Sequence, residues 1–379
     1  MKIRVGVAHG AIKNAGDYLI YKRGLNLLKE TLGDITEFVE IKRWIPFDDK
    51  NLHLDALIIL GGPIVSRKLH PQAKNIYNYI NTHQPNLPII AFGIGISGER
   101  FKSPKEYFLD NSSLEFWKKV YQSSKLISVR DKITQEIFEA YGITPYLTGC
   151  PALYSNLSLK LEHEFKQNSN KYCANNILIT LPNISFFSIT FPYISLYSLY
   201  LTLLSLIFIL FSRFLFPDKK LHLLLQHGAY NFSHKLLSLM AKILGFKIIN
   251  GAYKSIDEVL DVEKIDLHIG CRLHTHILFL SEGKPSYLFN LDNRTNAFLT
   301  MFNTPSQNFS INGIINLIYQ VKTDLENNTI YEKFKPCYTL IKNEYTQKMR
   351  LFLHKLRKYL ISLSSNNPSR KNSTKRFLT

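Results

Sequence analysis

Cysteine is scarce in this chain. The four present, Cys150, Cys173, Cys271 and Cys337, lie far apart among 379 residues and form no C-x-x-C pair. That spacing argues against a disulfide framework and against a structural zinc ribbon. No secretory leader is expected, because "MKIRVGVAHG" reads as a first β-strand, not as a charged segment followed by an apolar stretch. Both absences point to a reducing, cytoplasmic setting. Acidic residues are few, with 29 Asp and Glu against 47 Lys and Arg and a formal charge of +18. Such a surplus suits an anionic partner: nucleic acid, anionic lipid or a phosphorylated small molecule. Nucleic acid is disfavoured, since no arginine-rich arm, zinc-finger spacing or aromatic RNA-binding motif accompanies the charge. From Tyr172 to Ser212 there is no charged residue and no histidine at all.

Apolar material is ample. Hydrophobic residues make up 45 % of the chain, with 21 Tyr and 25 Phe, enough for two packed cores at this length. Strand and helix signals alternate. "KIRVGVA", "DALIILGG", "LPIIAFGIGISG" and "KLISVRD" read as strands, separated by helical stretches such as "GDYLIYKRGLNLLKETLG" and "SSLEFWKKVYQSS". Near-continuous apolar strands between helices predict an α/β fold with parallel sheets covered on both faces. The polar, irregular stretch Leu159–Asn176 marks a boundary, and the alternation restarts at "NILITLP". The expected organisation is an N-terminal domain over 1–160, a C-terminal domain over 175–340, a basic amphipathic helix over 341–363 and a disordered basic tail over 364–379.

One segment, 184–216, departs from the alternation. It is long and apolar enough to hold a membrane-spanning helix. Recurring Tyr and Ser, and the clean return of the strand pattern after it, favour a helix buried in the domain or lying at a membrane interface.

Several motifs end strands. "GIGISG", Gly93–Gly98, matches the dinucleotide spacing but lacks the helix that should start at once, and Pro104 interrupts the next stretch. Asp17 in "NAGDYLI" opens a helix, where a carboxylate can cap free amides or meet a substrate. Gly61 and Gly62 in "GGP" allow a ligand to approach the backbone. Arg130 in "SVRD" either pairs locally with Asp131 or faces an anion, and Asp131 reads as the cap of the next helix. Cys150 in "TGCPAL" has no nearby base and reads as a small buried thiol. His227 in "QHG" stands at a strand terminus before glycine.

The richest stretch is "GCRLHTHILFLSEGKPSYLF". His268, Cys271, His274 and His276 raise a metal site, but the first belongs to a strand and the last to a helix, which does not suit a tetrahedron. The turn itself offers better chemistry, and no metal is expected. A helix starting near Leu273 presents free amides and the positive end of its dipole. Arg272 adds a bidentate grip on carboxylate or phosphate, and His274 a group that moves protons near neutral pH. The plainer alternative is a surface arginine beside core-packed histidines.

Taken in order, "NAGDYLI", "ALIILGG", "SVRD", "TGCPAL", "QHG" and "GCRLHTHILFLSEGKPSYLF" resemble the polysaccharide pyruvyl transferases, from about Lys2 to Asn290. The resemblance departs at Cys150-Pro151-Ala152, where the family often has Asp-Pro-Ala. It implies two Rossmann-like domains facing across a cleft, as in GT-B enzymes. It implies transfer of pyruvate from phosphoenolpyruvate to a sugar of a polysaccharide or lipid-linked glycan, usually as a ketal with phosphate released, and so a role in exopolysaccharide or cell-envelope synthesis. Carried over by motif, His274 and Arg272 are the catalytic candidates. Arg130 is a donor-binding candidate, and Asp17 matches a Gly-Asp pair of the family. With Gly61, Gly62, His227 and the Leu273 amide they form the expected substrate-binding set. Phosphoenolpyruvate is the donor and no cofactor is expected. The enzyme would be cytoplasmic, with contact to the inner face of the membrane as an option. The rivals are a GT-B glycosyltransferase using a nucleotide sugar, a non-catalytic membrane-associated protein of glycan assembly, and a metal hydrolase.

Overall fold

The computed structural model describes residues 2–47, 52–98, 101–155, 172–184, 196–228 and 232–365. Most of the polar boundary stretch beginning at Leu159, the part of the apolar segment over 185–195 and the tail beyond Ser365 lie outside the described residues. The chain divides into two compact units. The first holds Met1–Ile12, Ile20–Leu159 and Lys342–Thr379, and the second Lys13–Leu19 and Lys160–Ile341.

In chain order the first unit is built from β1 (Ile3–His9), α1 (Ala15–Leu32, its first turn grouped with the second unit), β2 (Thr36–Lys42), β3 (Ala56–Val65), α2 (Pro71–His83), β4 (Ile89–Ile96), α3 (Asn111–Ser124), β5 (Ile127–Val129), α4 (Lys132–Glu139) and β6 (Tyr146–Leu147). The six strands form one sheet in the order β2-β1-β3-β4-β5-β6, and every pairing is parallel. All of β4 is buried, as a strand covered on both faces requires. β2 is different. As an edge strand it carries three exposed charged residues, Glu37, Glu40 and Lys42, among apolar ones and is partly solvated.

The second unit contains β7 (Asn176–Thr180), α5 (Leu196–Leu215), β8 (Lys220–Leu225), α6 (Phe232–Ile243), β9 (Lys247–Asn250), α7 (Ile256–Val259), β10 (Leu267–Gly270), α8 (Leu273–Ser281), β11 (Ser286–Asn290), α9 (Asn293–Phe302), β12 (Ser306–Asn308), α10 (Ile311–Glu326) and α11 (Ile330–Leu340). Its sheet is again six-stranded and parallel, ordered β12-β11-β10-β7-β8-β9. The sheet order reverses between β7 and β10. Open sheets of this kind bind ligands near such a point, outside the carboxyl ends of the strands.

The chain then returns to the first unit as α12 (Thr346–Ser365). Met349, Phe352, Leu353, Leu356 and Leu360 are buried, spaced along one helical stripe. Phe352 stacks on Phe92 at 5.6 Å, and Arg357 pairs with Asp34 at 2.5 Å.

Candidate active site

The turn between β10 and α8 is shaped by its neighbours in the second unit. The buried run of β10 pairs with β7 on one side and β11 on the other, so its end is fixed in register. The amides of Cys271 and Arg272 donate to Thr180 Oγ1 at 3.2 and 3.3 Å. Arg272 is the N-cap of α8, in an extended conformation and with no side-chain cap bond. A guanidinium has no acceptor atom, so it cannot close the amides of the first turn, which begin at Leu273. Arg272, Leu273 and His274 are each half-buried, while the residues from Thr275 to Ser281 are fully so.

The electrostatics of the turn are those of a cation without its counter-ion. Among the described residues no hydrogen-bond partner meets the Arg272 guanidinium, and its Nε is buried. Burial pulls the Arg272 pKa down to about 10; Cys271 acts in the opposite sense and Arg294 adds to the depression. His227 is lowered to about 4, first by burial and then by Arg272, His234 and Lys13. His234 is lowered to about 4 by burial and by Arg272. One arginine, two neutral imidazoles and an uncapped helix N-terminus thus converge at one edge of the sheet. An anion placed there regains the pairing that burial withholds from Arg272.

The Asn14–Asp17 loop belongs to the same unit. Asn14 Oδ1 accepts from the Gly16 amide at 3.1 Å, so Asn14, and not Asp17, supplies the cap of α1. Asp17 sits in the first turn and is reached by Asn14 Nδ2 at 3.3 Å. Asn is the better cap here because it directly precedes the helix. A Cβ at Gly16 would collide with the His274 ring and stand 2.9 Å from His274 Cβ. The lack of a side chain at Gly16 therefore leaves room for His274. Gln226 links the two segments. Its carbonyl accepts from the Ala15 amide at 3.2 Å, and its Nε2 donates to Thr275 Oγ1 in α8. Asp17, His227, Arg272, Leu273 and His274 thus all belong to this one unit.

Arg130, Gly61 and Gly62 belong to the other. Arg130 is 2 % exposed; its Nε pairs with Asp131 at 3.3 Å and its Nη2 donates to the Ile96 carbonyl at 3.0 Å. Asp131 also caps α4 through the Thr134 amide at 2.7 Å. Gly61 and Gly62 do not end their strand, because β3 continues through Pro63 to Val65 with a register shift against β4. Both have positive φ, and a side chain would strike Ile20 at Gly61 and Arg43 at Gly62. The close approach that they permit is to protein. Gly93 and Gly95 likewise face Pro151 and Arg130, and the next described α-helix begins only at Asn111. This is not dinucleotide-binding geometry. Cys150 is fully buried, with its pKa pushed up to about 11, which suits a packed thiol.

His268 and His276 both bond Ser286 Oγ through Nδ1, at 2.6 and 2.7 Å. Their Nε2 atoms reach Thr180 at 2.8 Å and Thr304 at 3.4 Å. Both rings are fully engaged core groups. Among the described residues no group of three or more His, Cys, Asp or Glu is placed to hold a metal ion. Lys284 of the "GKP" motif donates to the carbonyls of Val262, Glu263 and Ile265, at 2.6 to 2.9 Å, tying that loop to the start of β11.

Sequence reasoning missed four contributors. His234 and Thr180 carry no motif and join the site only through folding. Gln226 stood in a quoted motif without a role. Arg43, 1 % exposed, bonds the carbonyls of Ala8, Leu60 and Gly61 and shapes the glycine turn from beneath. Its only signal was its position directly after β2, itself unrecognised.

The profile of the family described as polysaccharide pyruvyl transferase matches residues 14–293. No curated protein matches the chain. Among solved structures, S. aureus MnaA with UDP aligns at a TM-score of 0.56 and 13 % identity, covering 97 % of this chain and 99 % of that one. UDP-GlcNAc 2-epimerase from Neisseria meningitidis, bound to UDP-GlcNAc, aligns at 0.52 and 11 %, covering 94 % and 100 %. A glycosyltransferase from Rickettsia africae aligns at 0.50 and 13 %, covering 97 % and 100 %. At these identities the likeness is one of fold, and that fold is GT-B-like.

Proposed function

The chain belongs to the polysaccharide pyruvyl transferase family, and from that premise we propose that it transfers pyruvate from phosphoenolpyruvate to a sugar of a polysaccharide or lipid-linked glycan, as a ketal, with release of phosphate. The observation that carries this is Arg272, a half-buried residue whose Nε is buried and whose guanidinium has no acceptor among the described residues, set at an uncapped helix N-terminus beside His274. Phosphoenolpyruvate brings the phosphate and carboxylate that such a turn lacks. Arg272 and the first-turn amides from Leu273 onward hold its phosphate and take up charge as that group leaves. His227 lines the same edge as a neutral donor, and Asp17 meets an acceptor hydroxyl.

His274 is the general acid. It gives a proton to the methylene carbon, which becomes the methyl group, while a sugar hydroxyl adds to the neighbouring carbon. A second hydroxyl then displaces phosphate. Two C–O bonds form and one C–O bond to phosphate breaks. Of the two hydroxyl protons, one replaces that given by His274 and one leaves with phosphate. No cofactor is required beyond the donor, and a phosphoenolpyruvate donor implies a cytoplasmic reaction.

Acceptor-dependent phosphate release from phosphoenolpyruvate, across a panel of oligosaccharide and lipid-linked acceptors, tests this. His274→Ala should lower the rate by roughly 10²- to 10⁴-fold. Nucleotide-sugar transfer remains the second reading, because S. aureus MnaA and the N. meningitidis epimerase hold UDP and UDP-GlcNAc on this fold. Calorimetry separates the two: binding of UDP with no binding of phosphoenolpyruvate would overturn pyruvyl transfer.

A further inference from the structure

The second unit carries an apolar face without acidic residues, on α5 and α6. α5 is the crossover between β7 and β8, which pair directly, so both its ends return to one sheet. A transmembrane course is incompatible with that connection. Its inner side is core. Leu204, Phe208 and Ile209 are buried, with Phe208 edge-on to Phe289 at 5.2 Å.

The outer side is not that of an ordinary soluble helix, which would present charged residues to water. Leu196, Leu203 and Phe214 are 83 %, 52 % and 73 % exposed, with Tyr200 and Leu210 between them on the same stripe. α6 repeats the pattern: Phe232, Leu236, Leu239 and Ile243 follow i, i+4, i+7, i+11, and Phe232 and Ile243 are 67 % and 69 % exposed. The two helices touch, with Thr202 Oγ1 3.3 Å from Ser233 Oγ. Their charged residues are Arg213, Lys235 and Lys242, all basic, and both lysines are exposed beside the α6 stripe. Two touching helices that both turn apolar stripes outward mark an interaction site.

Charge decides the occupant. In a two-fold contact with a second copy, a face whose charges are all basic would meet another face of the same sign. An anionic bilayer offers an apolar boundary beneath a layer of negative phosphates. We propose that the outer face of α5 and α6 docks in the plane of an anionic membrane surface. Leu203, Leu210, Leu236 and Leu239 reach the acyl boundary, and Lys235 and Lys242 lie among the headgroup phosphates. The inference stands apart from the identity of the donor.

The full chain should be sedimented with phosphatidylcholine vesicles, with and without phosphatidylglycerol, at rising salt. Wild type should bind the anionic vesicles, more weakly as salt rises, and the neutral ones poorly. Leu203→Glu with Leu239→Glu changes exposed positions only and should weaken binding by about 100-fold with Tm retained. Lys235→Gln with Lys242→Gln should weaken it by about tenfold or more. Leu239→Ser alone repeats the test with a milder change. The proposal fails if wild type ignores anionic vesicles, or if the leucine variants bind as wild type does. It fails equally if wild type is a dimer without lipid that Leu203→Glu with Leu239→Glu converts to monomer, since the face then joins two copies.

Discussion

Arg130 and Arg272 stand at the same kind of turn, one in each unit. Each follows a buried parallel strand and precedes a helix. They differ in what the next position supplies. After Arg130 comes Asp131, whose carboxylate caps α4 and pairs with the arginine at the same time. One carboxylate thus satisfies two needs, and the turn is closed. Arg272 is itself the cap of α8, and neither its guanidinium nor a following carboxylate closes the helix. One turn is a brace and the other a socket. A strand-end arginine becomes available to a ligand when the cap residue beside it carries no negative charge.

The sharpest test exchanges the consequences of losing each arginine. Arg272→Ala should lower kcat/KM by roughly 10²- to 10³-fold while leaving Tm close to wild type. Arg272→Lys should recover little, because a point charge does not reproduce the bidentate grip. Arg130→Ala strands Asp131 in the core of the first unit and should cost about 3 kcal/mol of stability, read by denaturant unfolding. The comparison breaks if Arg130→Ala instead keeps its stability and weakens phosphoenolpyruvate binding.

Gly16→Ala probes the socket from its other wall. The added methyl meets the His274 ring, so it should misplace that ring at a cost of about 1–3 kcal/mol. Kinetics should show the fall mainly in kcat. A loss confined to Tm would reduce the Gly-Asp pair to a packing role.

The smallest effect is with pH. His227 and His234 have folded pKa values of about 4, below the ordinary 6.5, because burial and Arg272 disfavour their charged forms. Neutral imidazole therefore stabilises the fold. That contribution is complete above pH 6.5 and is lost as pH falls towards 4. His227→Asn should flatten the dependence of Tm on pH in this window, and an unchanged slope would remove His227 from the cluster. A bound anion at Arg272 should also raise both histidine values, since it offsets the positive charge that depresses them.

Much of the fold was legible. The short, near-continuous apolar runs of β3 and β4, rich in Ile and bounded by glycine, read as strands covered on both faces, and their alternation with helices implies parallel sheets. β2 escaped because "TEFVEIK" is an edge strand whose three exposed charges, Glu37, Glu40 and Lys42, break up the apolar signal. "GGP" was legible as glycine chemistry but not as the interior of a strand. Its need for glycine comes from Ile20 and Arg43, which reach it through folding. The Arg-Leu-His turn was readable as an anion site because an apolar strand stops abruptly at a cation before a helix. By the same local signs Arg130 read as a partner for the donor, and its bond to the Ile96 carbonyl, 34 residues away, is invisible in sequence.

The order of residues alone determined the two parallel α/β units, the family and the turn at which chemistry is proposed, because burial and helix starts follow from local pattern. Tertiary structure alone decided which arginine keeps its charge uncompensated, why Gly16 precedes Asp17, and which side of α5 is core and which is open. Each of those depends on neighbours brought within a few ångströms from distant parts of the chain, where charge pairing and steric fit operate and local pattern does not reach.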